Sequence, residues 1–372
     1  FVVDSMQKRG VNFKETFAPV VKYTTLRLFV AISAVLGLRI DHLDVRNAFI
    51  NAPLHEDVYV RPHPEMKIPE GYCLKLLKPI YGLKQAPRNW NQHLHQFIIS
   101  LGFIQCPQDT CLYKVVINDN VVLLAVFVDD ILIACKCLTL LTSVKDKFKS
   151  KFEMTDSGMV TEFLGVRIIQ KPHCISLDQS FYIDQLLKKY SKYIGRRNYS
   201  NIPMKHGHIP RNHPAQSDKQ QRFIDSFPYS EIVGALLYLS VVTRLDIAFA
   251  VGVFTRHMQN PTFEACCAVC RCLNYLAENK FKGLLYSGTV FNMHAYCDSD
   301  WASDLDTRRS TSGYVVLVAG GPTAWMSKLQ PIVATSSMES EYICYFFVTQ
   351  DVTWHRGVFY SLDLTRTLPT VV

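Results

Sequence analysis

The sequence lacks the features that would place the protein in a membrane or outside the cell. No window reaches the roughly 18 uninterrupted apolar residues that a membrane-spanning helix needs. The first residues also lack the basic, then apolar, then small-residue pattern of a secretory signal peptide. We therefore expect an intracellular protein with no membrane partner.

A disulfide framework is also missing, although the chain has 12 cysteines. Their irregular spacing indicates reduced thiols rather than the regular pairs of a small secreted protein. The densest group consists of Cys266, Cys267, Cys270 and Cys272. This group falls in a helical pattern and has no second Cys/His pair at zinc spacing. Small buried thiols are the favoured interpretation, and a metal-binding cluster is the alternative.

Charged residues are few, but those present are biased toward the positive sign. Charged residues make up 19% and hydrophobic residues 48% of the chain, which is typical of a globular protein. With 372 residues, the chain exceeds one ordinary domain. The net charge of +8 suits a polyanionic partner, although a moderate basic excess is weak support by itself.

The chain is organised around the apolar stretch Val121–Cys135, which is interrupted by the adjacent acids Asp129 and Asp130. Each apolar run has the length and β-branched composition of a strand, so we predict a buried β-hairpin with the acids at its turn. Two neighbouring carboxylates repel each other unless a cation or a network offsets the repulsion. A metal site and a plain acidic turn both fit, although no Gly, Asn or Pro follows to favour the latter.

A further acid, Asp44, lies among apolar residues in a predicted strand at 38–50. One acid in a core strand is usually a hydrogen-bonded polar residue and says little alone. If this strand pairs with the hairpin, however, Asp44 would lie beside Asp129. Carboxylates from distant parts of the sequence would then meet in one metal site.

Apolar periodicity predicts the other elements. Predicted helices lie at about 24–36, 87–101, 144–152, 178–193, 229–242, 261–279 and 337–362. Strand patterns lie within 57–80, 111–117, 163–165 and 291–335. Residues 198–228 are polar and predict a linker. The helix around Val144 is expected to turn four lysines to solvent, namely Lys145, Lys147, Lys149 and Lys151.

Acids recur near the C-terminal end. Asp298 lies in a predicted strand, and Glu339 and Glu341 lie in the first turn of the last helix. First-turn acids favour a helix N-terminus, so capping explains both glutamates. The alternative is that one of them meets Asp298 to share a metal ion.

Eight sequence strings together resemble the reverse transcriptase and RNase H region of copia-type (Pseudoviridae) LTR-retrotransposon polyproteins. The strings lie at 15–27, 43–54, 77–90, 127–134, 163–168, 233–252, 298–314 and 336–343. They follow the family's order and spacing nearly end to end. The resemblance implies an α+β fold, with a right-hand polymerase of fingers, palm and thumb and an antiparallel palm sheet, followed by a truncated RNase H-like domain.

The implied domains are fingers and palm at 1–172, a thumb at 173–200, a linker or connection with helices at 201–288 and an RNase H-like domain at 289–372. In the polymerase, Asp44, Asp129 and Asp130 would be the catalytic carboxylates that hold two Mg²⁺ ions, with Mn²⁺ as an alternative. The resemblance assigns nucleotide binding to Phe49, Gly82, Lys84, Gln85 and Pro87, with Phe49 selecting deoxynucleotides. It assigns the primer grip to Phe163, Leu164 and Gly165.

In the C-terminal part, the resemblance implies that Asp298 and Glu341 are metal-binding RNase H carboxylates. The implied partners are an RNA template, a DNA primer, the RNA–DNA hybrid and dNTPs, with gag, protease and integrase segments in an intact element. The implied location is a cytoplasmic virus-like particle with passage to the nucleus.

The sequence departs from the family pattern at several positions. Phe127 stands where a tyrosine usually precedes the acid pair, so we expect reduced rather than abolished activity. We also expect basic finger residues to precede Phe1 and a third RNase H carboxylate to follow Val372, which would leave RNase H incomplete. The alternative function is a catalytically silent relic that binds nucleic acid without sequence preference.

Overall fold

The computed structural model describes residues 7–62, 65–69, 71–195, 201–211 and 213–364. The described residues divide into two compact units. The first comprises residues up to 26, 38–160 and 357–364, and the second comprises 27–37 and 161–356. Both combine helices with antiparallel sheets, which confirms the α+β class. Among these residues, no helix is long and apolar enough to cross a bilayer.

The elements follow in chain order. The helices are α1 (Tyr23–Leu36), α2 (Ala86–Ser100), α3 (Leu138–Lys151), α4 (Ser180–Lys189), α5 (Asp218–Ser226), α6 (Tyr229–Val242), α7 (Ala248–Thr255), α8 (Phe263–Glu278) and α9 (Ser337–Ser361). The strands of the first unit are β1 (Arg39–Val45), β2 (Tyr59–Val60), β3 (Leu74–Lys75), β4 (Ile104–Cys106), β5 (Asp109–Ile117), β6 (Asn120–Phe127), β7 (Asp130–Cys135) and β8 (Met154–Met159). Those of the second unit are β9 (Glu162–Phe163), β10 (Val166–Lys171), β11 (Cys174–Asp178), β12 (Leu284–Ser287), β13 (Met293–Ser299), β14 (Thr311–Val318) and β15 (Gly321–Leu329).

The first unit is built on a six-stranded antiparallel sheet with the order β4-β5-β6-β7-β1-β8. The apolar strands β6 and β7 lie inside this sheet, and α2 and α3 contribute side chains to the same core. Trp90 of α2 meets Phe152 edge to face, with ring centroids 5.2 Å apart. The predicted hairpin is confirmed by the antiparallel pairing of β6 with β7. Burial on both faces explains why its strands are apolar from Val121 to Phe127 and from Ile131 to Cys135.

The second unit contains two smaller sheets and a helical core. One sheet has the order β12-β11-β10-β9, and the other is the antiparallel meander β13-β14-β15. Apolar residues of α4, α6, α7 and α8 form one core. Val348 and Val352 of α9 pack against Ala295, Val316 and Ala324 of the meander. The predicted meander and the long last helix are both confirmed.

The cysteines of α8 occupy different surroundings. Cys266 and Cys272 are buried in the helical core, Cys270 is half-buried and Cys267 is exposed. Burial raises the pKa of the Cys266 thiol to about 12. The prediction of buried thiols is therefore confirmed for Cys266 and Cys272 and wrong for Cys267, which lies on the outer face of the helix.

Phe49 does not lie in a strand, contrary to the prediction for residues 38–50. β1 ends at Val45, and Phe49 lies in a short 3₁₀ helix, Ala48–Asn51. Asn47 ends the extended run, since its φ of 52° is left-handed. Asparagine is among the few side chains that adopt this conformation readily.

Lys145 is buried, contrary to the prediction of a solvent-facing lysine row on α3. Its ammonium donates to Asp41 at 2.6 Å and to Asp156 at 3.1 Å, and the residue is only 8% exposed. Successive helical residues turn by about 100°, so lysines two positions apart point in nearly opposite directions. Lysines at every second position of α3 therefore cannot all lie on one solvent-facing side of the helix.

The predicted linker at 198–228 contains helix α5, and several further elements escaped prediction, among them β8, α7 and β12. Ser217 caps α5 by accepting from the Gln220 amide at 3.3 Å, and this Ser was the available sequence signal. The short helix α7 is apolar on nearly all sides and has no helical period to detect. β12 has four residues, and its pairing with β11 is set by a partner far away in sequence.

Candidate active site

Strand pairing brings Asp44 to the acid pair. β1 runs antiparallel to β7, and Asp44 lies directly opposite Asp130. The next backbone amide, that of Val45, donates to the Asp129 carbonyl at 2.9 Å. The expectation that the strand of Asp44 pairs with the hairpin is thus confirmed. Three carboxylates from distant sequence positions meet at one end of the sheet.

The turn that carries the acids is strained. Phe127 pairs with Asp130, so Val128 and Asp129 form a two-residue turn. Val128 has a φ of 54°, which a β-branched residue rarely adopts and which costs on the order of 1–3 kcal/mol. The indole N–H of Trp90 donates to the Val128 carbonyl at 2.6 Å. Trp90 therefore fixes the turn as well as filling the core.

Replacing Trp90 by Phe should loosen this turn. The ring packing is kept, but the bond to Val128 is lost, which should lower the free energy of unfolding by about 1 kcal/mol. If the turn positions catalytic carboxylates, primer extension should fall more than stability explains. Denaturant unfolding and primer extension measure the two effects. The control is Trp301→Phe, which removes an indole bond to Ala334 in the second unit; an equal loss of extension there would contradict the interpretation.

The three carboxylates interact electrostatically. The pKa of Asp44 is raised by burial first and then by the charges of Asp130 and Asp129, while His42 and Arg46 partly oppose the rise. His42 Nε2 lies 2.7 Å from Asp130 Oδ1. The Tyr81 hydroxyl donates to Asp129 Oδ2 at 3.3 Å. The fold thus concentrates negative charge that a cation would relieve.

The donor chemistry of this cluster fits a divalent cation. Carboxylate oxygens are hard ligands of the kind that Mg²⁺ takes. Within the ranges that the structure describes, however, no three His, Cys, Asp or Glu side chains are arranged so that they could hold a metal ion. His42 and Tyr81 occupy oxygens of Asp130 and Asp129. Side-chain rotation would be needed for all three acids to bind one ion.

The residues assigned to nucleotide binding differ in exposure. Phe49 is 7% exposed, and its ring centroid lies 4.3 Å from that of Tyr81. Gly82 is exposed, with a φ of 100° that favours glycine, and Pro87 lies in the first turn of α2. Lys84 is exposed and lies over the ring of Phe13, 5.4 Å from its centroid.

Gln85 is buried, and its amide is engaged inside the protein. It is 1% exposed, its Nε2 donates to the Asn12 carbonyl at 2.8 Å, and its Oε1 accepts from Gln7 at 2.9 Å. In this arrangement Gln85 ties the residues near Gln7 and Asn12 to the start of α2. Its assignment to nucleotide binding stays a prediction.

The residues assigned to the primer grip form a tight hairpin in the second unit. Phe163 ends β9 and is buried, whereas Leu164 and Gly165 form the turn to β10, with φ values of 50° and 73°. The strand prediction is therefore wrong for these last two. Tyr238 donates its hydroxyl to the Leu164 carbonyl at 2.8 Å.

Near the C-terminal end, Glu339 and Glu341 of α9 make different contacts. Glu339 accepts from the Thr335 amide at 2.6 Å, which lowers its pKa and confirms it as a cap. Glu341 instead accepts from the amide of Ser299 at 3.3 Å, next to the exposed Asp298 on β13. A cavity of about 460 Å³ is lined by Asp298, Asp300 and Thr311 among others. The fold thus brings Glu341, not Glu339, to the strand of Asp298.

Sequence reasoning missed two residues that contact the acid pair Asp129 and Asp130. His42 precedes Asp44 by two positions on β1, so both side chains lie on the same face, and this spacing was an available signal. Tyr81 lies in a loop 48 residues from Asp129, and no local pattern predicts that contact.

Comparisons with known proteins now decide the family. Residues 2–206 match the family model described as reverse transcriptase (RNA-dependent DNA polymerase). A retrovirus-related Pol polyprotein from transposon TNT 1-94 of Nicotiana tabacum is 34% identical over 96% of this chain. A putative transposon Ty5-1 protein of Saccharomyces cerevisiae is 31% identical over 81% of this chain and 97% of its own length.

The chain belongs to the reverse transcriptase family of copia-type transposons. The matched range contains every residue assigned above to the polymerase acids, the nucleotide loop and the primer grip. The chain covers 27% of the Nicotiana polyprotein and 25% of the RE1 transposon polyprotein of Arabidopsis thaliana, which is 34% identical. The present chain therefore spans about a quarter of the length of those polyproteins.

Among solved structures, prototype foamy virus protease-reverse transcriptase is similar to this chain with a TM-score of 0.24 at 13% identity. That match covers 92% of this chain and 39% of the viral one.

Proposed function

We propose that the chain is the RNA-directed DNA polymerase of a copia-type retrotransposon. It would extend a DNA primer with dNTPs on an RNA template. The observation that carries the proposal is the pairing of Asp44 with Asp130, which joins three acids at one end of the sheet. Family membership supplies the reaction class, and the acids supply the ligands that this reaction needs.

In this proposal, Asp44, Asp129 and Asp130 hold two Mg²⁺ ions, or Mn²⁺ as the alternative. Such ions would supply positive charge that favours deprotonation of the primer 3′-hydroxyl and offsets the negative charge of the leaving pyrophosphate. Trp90 holds the turn of Asp129 through the Val128 carbonyl, and His42 orients Asp130. These contacts limit the positions from which the acids receive a cation.

The proposal assigns substrate selection to the ring of Phe49. The ring sits on a 3₁₀ helix five residues after Asp44, so it lies close in sequence to the acids. An aromatic ring there would crowd a ribose 2′-hydroxyl and admit deoxyribose. Gly82, Lys84, Gln85 and Pro87 would shape the same pocket, and Phe163, Leu164 and Gly165 would hold the primer strand.

The wider setting is also part of the proposal. The chain would act on an RNA template, a DNA primer and their hybrid, through phosphate contacts that do not depend on base sequence. Other polyprotein segments, namely gag, protease and integrase, would accompany it in a cytoplasmic particle that passes to the nucleus.

Primer extension tests the polymerase against the silent relic. Purified protein receives an RNA template, a DNA primer, dNTPs and Mg²⁺, and hybrid binding is measured in parallel. We expect extension by the unmutated chain and none by Asp129→Asn, with equal binding by both. Binding without extension by the folded, unmutated chain would favour the relic and contradict the proposal.

A metal site of the RNase H type is the second candidate, because Glu341 accepts from the amide of the residue that follows Asp298. The proposed role of these two acids is to bind metal at an RNase H site. We expect no cleavage of an RNA–DNA hybrid by this chain. Asp298 and Glu341 alone would offer too few carboxylate ligands for a two-metal reaction. Cleavage that disappears in Asp298→Asn would contradict this expectation.

A further inference from the structure

Tyr81 touches both a proposed selector of the sugar and a proposed metal ligand. Its ring lies against Phe49, with centroids 4.3 Å apart and planes tilted by 45°. Its hydroxyl donates to Asp129 Oδ2 at 3.3 Å. The residue is 50% exposed, so one edge of the ring remains open to solvent. A single side chain therefore links two parts of the site that are 80 positions apart.

The position of the Phe49 ring is not fixed by dense packing all round. A cavity of about 430 Å³ is lined by Phe49, together with Trp90, Leu94, Val126, Val128 and the segment from Thr16 to Val20. A side chain that borders empty volume loses contacts on that border and can shift there more easily than one in a filled core. The aromatic contact with Tyr81 thus matters for holding the ring in place.

The two contacts of Tyr81 have different chemical consequences. The ring contact is apolar and would persist if the hydroxyl were removed. The hydroxyl contact orients a carboxylate, because the phenol O–H donates to Asp129 Oδ2. A phenol hydroxyl is an uncharged donor, which suits an acidic site.

We infer that Tyr81 is a further specificity-determining residue: its ring holds Phe49 against the sugar, and its hydroxyl positions Asp129. This inference rests on the proposed polymerase function. It makes Tyr81 a positioning residue that acts through two neighbours. The two roles can be separated by substitution. Phenylalanine keeps the aromatic ring and removes the hydroxyl, whereas leucine removes both the ring and the hydroxyl.

The test measures single-nucleotide insertion of a dNTP and of the matching rNTP on an RNA template. For Tyr81→Phe, we expect kcat for the dNTP to fall about 3- to 10-fold while the preference for dNTP over rNTP is unchanged. For Tyr81→Leu, we expect that preference to fall by about 3- to 10-fold, the range that one aromatic contact supplies. The matched control is Tyr72→Leu, at a 70% exposed tyrosine of the same unit, and it should change neither quantity.

A double substitution separates positioning from a general structural role. In a Phe49→Ala background, Tyr81→Leu should cause no further loss of sugar preference, because the ring it positions is gone. Circular dichroism confirms folding of each variant, and Tyr81→Met replaces Tyr81→Leu if the latter is unfolded. Unchanged preference in the folded variant, or additive losses in the double variant, would overturn the inference. Failure of the unmutated chain to extend any primer would overturn the proposed function and this inference with it.

Discussion

Replacement of Asp44 by Asn should abolish primer extension and, at the same time, make the metal-free protein more stable. In the proposed mechanism Asp44 is a charged ligand of the catalytic ions, and its loss would remove several kcal/mol of transition-state stabilisation, so we expect a fall of about a thousandfold or more. The stability gain has a separate cause. Asp44 faces Asp130 across the strand pair, and Asn removes one of three repelling charges.

The sign of the stability effect follows from the raised pKa of Asp44. Burial and the two neighbouring acids disfavour its ionised form in the folded protein. Stability is therefore lost as the pH rises from the unfolded-state pKa of Asp, about 3.9, through the raised folded-state pKa. At pH 7 the full penalty is present, and Asp44→Asn should raise the free energy of unfolding on the order of 1 kcal/mol.

Thermal unfolding without divalent cations, together with primer extension, measures both effects. The control is Glu153→Gln, which alters an exposed acid that is paired with Arg46 in the same unit. It should shift stability by no more than about 0.5 kcal/mol. A melting temperature of Asp44→Asn below that of the unmutated protein would contradict the idea that the three acids repel one another.

Lys145→Met should cause the largest loss of stability among lysine-to-methionine substitutions on α3. Methionine matches the length of the lysine stem, so the change removes charge with little change in volume. It leaves Asp41, which is 1% exposed, with Arg39 as its remaining charged partner at 2.7 Å. Breaking a buried pair typically costs about 3–5 kcal/mol, and Arg39 places the expected loss near 3 kcal/mol.

The matched control for this change lies one turn along the same helix. Lys149 has a half-exposed side chain and pairs with Asp146 and Asp156, so Lys149→Met should cost less than about 1 kcal/mol. Equal losses in the two variants, measured by denaturant unfolding at pH 7, would show that burial of Lys145 carries no special weight.

Acid pH gives an independent check on the same network. Burial raises the pKa of Asp156, but the Gly158 amide and Lys145 outweigh it and hold the pKa below the ordinary value. Stability from this pairing is present above about pH 4 and is lost as the pH falls through the depressed folded-state pKa. Lys145→Met should therefore flatten the acid side of the stability curve.

The central part of the first unit was predictable because its signals are local. Two apolar strands around an acid pair predict a hairpin, and only one further pairing was needed to add Asp44. The helices with clear apolar periods, such as α2 and α8, were also predicted close to their observed bounds. In each case a short stretch of sequence carries the whole pattern.

What sequence reasoning missed depends on contacts between distant side chains. The contact of Tyr81 with Asp129 joins residues 48 positions apart, and the contact of Trp90 with Val128 joins residues 38 positions apart. Neither contact produces a periodic pattern in the sequence. The left-handed φ of Val128 was likewise hidden, since a β-branched residue rarely adopts that conformation. The burial of Lys145, in contrast, could have been predicted from helical geometry.

The proposed polymerase depends on Asp44, Asp129 and Asp130, which the pairing of β1 with β7 brings together. One measurement tests their role most directly. Single-turnover addition of one dNTP to a DNA primer on an RNA template is followed with increasing Mg²⁺, for the unmutated chain and for Asp129→Asn. We predict Mg²⁺-dependent addition by the unmutated chain and none by the variant. Addition that persists in Asp129→Asn, or its absence from the folded unmutated chain at every Mg²⁺ concentration, would contradict the account.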